Sequence, residues 1–107
     1  MIISVLVRRL QEGLEYPDFR AAWMPDKGFG VPTRVVSGVS LDNPREIVTV
    51  GFSEIDPAEV PDFLARVGPQ EQLRAERIRE VTVPGGSRGF YLQVADDDLS
   101  DGPPASG

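Results

Sequence analysis

The chain has 107 residues, enough for one domain with a modest core, and its 40% apolar and 26% charged residues are ordinary for a globular protein. Seventeen acidic residues against 11 basic ones give a formal net charge of -6, which opposes nucleic-acid phosphates and anionic membrane surfaces alike. Cysteine and histidine are both absent, which excludes disulfides, thiolate metal sites, cysteine nucleophiles, a histidine general base and a proximal haem ligand.

The opening Ile2-Ile3-Ser4-Val5-Leu6-Val7 is short and rich in β-branched residues, so it reads as a strand. It is too short to span a bilayer and lacks a preceding basic region, and the expected location is cytoplasmic. Tyr16, Phe19 and Trp23 then recur at helical spacing, with Pro17 suited to the first turn and Asp18 near the positive end of the dipole. Pro25 ends this helix near Trp23 or Met24, because the residue before a proline is driven out of the helical region.

Thr33 to Leu41 and Glu46 to Ser53 read as two strands joined by the turn residues Asp42-Asn43-Pro44-Arg45. Asp56-Pro57 is the signature of an N-cap followed by proline in the first turn, and Val60, Phe63, Leu64 and Val67 share one helical face. Gly68-Pro69 predicts an interruption, and Gln70 to Glu80, with only Leu73 and Ile78 apolar, predicts a solvated second helical piece. Val81-Thr82-Val83 is a short extended segment, and Gly89 to Val94 a last strand with Phe90, Leu92 and Val94 as its core face. Residues 1–95 thus form one α+β domain, and the acidic Gly/Pro/Ser-rich tail 96–107 is expected to be disordered.

The order β-α-β-β-α-β is the ferredoxin-like arrangement, an antiparallel sheet carrying both helices on one face. A sheet with water on its other side alternates apolar with polar residues, yet the first strand is apolar on both faces (Ile3, Val5 and Val7 against Ile2 and Leu6). The third is nearly so, with Ile47 opposite Val48, Val50 and Phe52. The expected cover for the open face is a second copy of the same sheet, making a homodimer.

Three motif matches fail on context. Gly28-Phe29-Gly30 follows a helix and enters a strand, the reverse of a phosphate loop. Gly85-Gly86-Ser87-Arg88-Gly89 matches G-x-S-x-G but has neither the following helix nor a histidine base. Arg88-Gly89-Phe90 starts like an RNA-recognition signature, but on the last strand of an acidic chain, so no nucleic-acid partner is expected. Asp96-Asp97-Asp98 lacks the alternating ligands of a calcium loop, and no metal is expected.

Topology, length, the two-sided strands and the segment Tyr16 to Val31 resemble the dimeric α+β barrel superfamily, which includes antibiotic-biosynthesis-type monooxygenases. The resemblance covers residues 1–95 and implies either a non-catalytic barrel that binds a small apolar or aromatic ligand, or a cofactor-independent monooxygenase acting on a phenol or enol. No cofactor is expected on either reading. The candidate ligand residues are Tyr16, Phe19, Trp23, Phe29, Arg34 and Tyr91, with Phe29 a lid and Arg34 or Arg88 available to stabilise an anion. No catalytic residue carries over from the family, because Asn43 sits in the hairpin turn and a histidine is missing.

Overall fold

The computed structural model describes residues 1–103, and its strand order is β2-β3-β1-β4, antiparallel throughout. In chain order the elements are β1 (Ile2–Arg9), α1 (Tyr16–Trp23), β2 (Thr33–Val39), β3 (Glu46–Ser53), α2 (Val60–Arg79, entered through the 3-10 turn Pro57–Glu59) and β4 (Ser87–Leu92). This is the ferredoxin-like α+β arrangement expected from the sequence. Among the described residues no helix is long and apolar enough to cross a membrane.

Register assigns the faces. Ile2, Ser4, Leu6 and Arg8 of β1 pair with Ser53, Gly51, Thr49 and Ile47 of β3, so these side chains share the face that carries the helices. Ile3, Val5 and Val7 pair with Phe52, Val50 and Val48 on the opposite face, where Val36, Arg34 and Tyr91 join them.

Helix α1 begins where the Glu15 N–H donates to the Asp18 carboxylate (2.8 Å) and stops before Pro25, as its sequence dictates. It delivers Phe19, 1% exposed, into a cluster with Leu10, Ile47 and Ile78, against which Leu14, Tyr16 and Trp23 pack. This compact cluster occupies the end of the sheet where Leu10 bridges Thr82, and Ile55 and Val67 are buried farther along the gap under α2.

Three expectations are corrected. Helix α2 runs unbroken through Gly68-Pro69. Pro69 lacks the N–H that would reach Ala65, but both residues are exposed, so water can satisfy the freed carbonyl, and Gly68 has no Cβ to meet the proline ring. The segment Gln70 to Glu80 is not simply solvated. Arg66, Gln70, Arg74 and Arg77 form a polar row along α2 whose side chains donate to the carbonyls of Phe29 (2.7 Å), Lys27 (3.1 Å), Trp23 (2.7 Å) and Ala22 (3.2 Å). The end of α1 and the segment Pro25 to Val31 have few backbone partners of their own, and this row supplies them. Gly30 completes the contact: its φ of +77° suits only glycine, and a Cβ there would meet the Arg66 guanidinium.

The third correction concerns β4. Phe90 and Leu92 on β4, and Val94 beyond its end, are 62%, 54% and 91% exposed, because β4 is an edge strand that α2 covers only in part. The tail from Asp96 to Pro103 is exposed, and residues 104–107 of the segment expected to be disordered lie outside the described residues.

Candidate functional site

Between the sheet and α2 lies a cavity of about 300 Å³, large enough for a ligand of two or three fused rings. Its floor is the inward face of β1 and β3, where Gly51 keeps the level low: a Cβ there would collide with Ser4 Oγ. Its roof is the face of α2 that carries Val60, Phe63, Leu64 and Val67. The four-residue spacing read from the sequence therefore serves a lining as well as a packing surface.

Trp23 and Phe29 enter from the end of α1 and the loop behind it. Phe29 is half-buried, with its ring centroid 6.4 Å from that of Phe63. Arg74 ties the two aromatics together. Its guanidinium lies 5.0 Å from the Trp23 ring centroid and 5.8 Å from that of Phe29, while Nε donates to the Trp23 carbonyl and Nη1 to the Glu71 carboxylate.

The cavity is apolar with a cationic end. Arg8 rises from the sheet beside Leu6, its guanidinium 5.7 Å from the Phe19 ring centroid, and Arg88 stands on β4 where its backbone pairs with Leu6. Burial holds the Arg8 pKa below its ordinary value, and the nearby charge of Arg74 adds to the effect, while Glu71 opposes it and Arg88 reinforces it. Arg8 Nη1 is buried without a hydrogen-bond partner among the described residues.

Of the six residues singled out from sequence, Trp23 and Phe29 line the cavity. Phe19 is core, and Tyr16 packs beside it with ring centroids 6.2 Å apart. Arg34 and Tyr91 stand on the opposite face of the sheet, in register with Phe52 and Ile3, and so cannot meet Trp23. The residues missed are Leu6, Arg8, Phe63, Val67 and Arg74. A signal existed for Arg8: on a strand of period two it shares the face of Ile2 and Leu6, and a charge at an inward position calls for a partner.

No protein-family model matches the chain, and no curated protein matches it. Solved structures do. An antibiotic biosynthesis monooxygenase superposes with a TM-score of 0.62 at 13% identity, covering 89% of this chain and 100% of its own. SnoaB, a cofactor-independent oxygenase from Streptomyces nogalater, superposes with a TM-score of 0.59 at 16% identity, covering 94% and 98% of the two chains. The fold is that of these monooxygenases. At such identities the likeness establishes architecture, and the chemistry must be argued from the cavity itself.

Proposed function

We propose that the protein binds a small, largely apolar aromatic ligand in the cavity between β1, β3 and α2, as a homodimer joined through its open sheet face. The cavity carries the reading. It places Trp23, Phe29 and Phe63 around a space of about 300 Å³ that this chain's own side chains leave unfilled. Trp23 is the only tryptophan, so its indole N–H gives a single resonance at the site. Titration with 2-naphthol should shift that resonance saturably, and Val67→Phe, which narrows the roof, should abolish the shift. An unmoved resonance at millimolar 2-naphthol counts against the proposal.

Dimerisation is supported by the open face, which presents Ile3, Val5, Val7, Val36, Val48, Val50 and Phe52 with both helices on the other side. The chain exposes 7701 Å², whereas a folded monomer of its mass exposes about 5,900 Å². A standard interface removes about 800 Å² from each partner. Sedimentation equilibrium at micromolar concentration should give a dimer, and Val50→Asp a monomer. A wild-type monomer contradicts this part.

A second reading is cofactor-independent oxygenation. The descriptions of the neighbouring structures favour it, as does a cavity that joins a tryptophan with arginines able to stabilise a phenolate or enolate. Such a substrate anion would supply electrons to dioxygen, the protein contributing binding and charge stabilisation. Oxygen uptake with polycyclic phenols tests it, and no consumption with any of them removes it while leaving the binding role intact.

A further inference from the structure

The cavity does not end at its apolar part. A second, more open hollow adjoins it, and the two share Leu6, Arg8 and Arg88 on the sheet and Ala75 and Ile78 on α2. The second hollow adds Arg79 and the loop Gly85-Gly86-Ser87. Among the described residues the linings together hold four arginines, Arg8, Arg74, Arg79 and Arg88, against the single carboxylate of Glu71. In a chain of net charge -6 that is a local inversion of sign, confined to one end of an aromatic cavity.

The four guanidinium groups are not equivalent. Arg74 spends its donors on the Trp23 carbonyl and on Glu71, the only carboxylate in the linings. Arg8 lies in the same field, but its Nη1 is buried and has no partner among the described residues. A buried donor on a charged group is costly to leave unsatisfied, and native proteins leave few of them without a purpose. Arg8 and Arg88 also stand on the same face of adjacent strands, offset by one inward position, so one small anion can lie between their side chains.

We propose that the ligand of this cavity is an aromatic carboxylate, with its rings between the sheet and Phe63 and its carboxylate on the guanidinium of Arg8, flanked by Arg88. The inference rests on the proposed aromatic-ligand role and adds the charge of the ligand. A carboxylate matches the two-pronged donor geometry of a guanidinium. It would supply the partner that Arg8 Nη1 lacks and offset the repulsion among Arg8, Arg74 and Arg88, which Glu71 offsets only in part. Partial removal from water strengthens each of these attractions.

The test compares 2-naphthoate with its neutral isostere 2-naphthamide by isothermal titration calorimetry at neutral pH, with the Trp23 indole resonance locating the bound compound. The naphthoate should bind at least about tenfold more tightly, as one charge-assisted hydrogen-bonded pair implies. Arg8→Gln should remove that preference by lowering naphthoate affinity about tenfold more than naphthamide affinity. Arg88→Gln, at an exposed position, should lower naphthoate affinity roughly threefold and carries the test if Arg8→Gln fails to fold. Equal wild-type affinities for the two compounds, or a preference that neither variant diminishes, overturn the anion assignment and leave the aromatic cavity standing. Binding of neither compound overturns both.

Discussion

Arg74→Met is the substitution that best separates a built polar strap from an ordinary solvated helix face. Arg74 is 6% exposed, and its Nε–H donates to the Trp23 carbonyl at 2.7 Å, satisfying a backbone oxygen at the end of α1. Methionine keeps much of the stem's packing but removes the charged hydrogen bond, worth about 1.5–3 kcal/mol, and the stacking over Trp23, worth roughly 0.5–1 kcal/mol. The Glu71 contact adds little, because that carboxylate is 41% exposed. The expected loss is about 2–4 kcal/mol. With an unfolding entropy of about 2.1 cal/mol/K per residue, that lowers the melting temperature by roughly 10–15 °C or somewhat more. Thermal unfolding by circular dichroism measures it, with Glu76→Ala, at an exposed position on the same helix, as a control expected to move little. A shift for Arg74→Met no larger than that of the control would refute the strap.

Phe29→Ala should destabilise by roughly 1.5–2 kcal/mol, about half the cost of a fully buried phenylalanine, and weaken 2-naphthol binding in the Trp23 indole titration. A loss as large as a core truncation would place the ring in the interior, and no loss would contradict its contact with Phe63. Pro69→Ala should stabilise the chain by about 1–2 kcal/mol, since it restores the helical bond to Ala65 and gives back only part of that gain through a freer unfolded chain. The midpoint of urea unfolding reads this directly, and an unchanged midpoint would mean that α2 is more distorted around Pro69 than its unbroken course indicates.

The fold was legible because its signals are local. Pro17, Pro25, the Asp42 to Arg45 turn and the Asp56-Pro57 cap mark element ends whatever the tertiary context, whereas the register of β1 and β3, both apolar on two faces, had to come from the structure. The site was half legible. Trp23 and Phe29 could be singled out as aromatics near a heavily punctuated loop, whereas Tyr91 and Arg34 could be assigned to a face only after the neighbouring strands were placed. Arg74 illustrates what one-dimensional reading misses. A charged helix segment facing water and one facing unpaired carbonyls have the same composition, and only the position of the loop distinguishes them. For β4 the alternation was read correctly, but inward-facing residues on an edge strand are buried only where a helix covers them, and Phe90, although it lines the cavity, stays 62% exposed.

The central claim is that the gap between the sheet and α2 is a ligand site rather than a packing fault, and a crystal structure of the full chain grown with 2-naphthoate tests it most directly. The account predicts the ring system between Leu6 and Phe63, beside Trp23, with the carboxylate on Arg8. Side chains collapsed into that space, with naphthoate only on the outer surface, would contradict it.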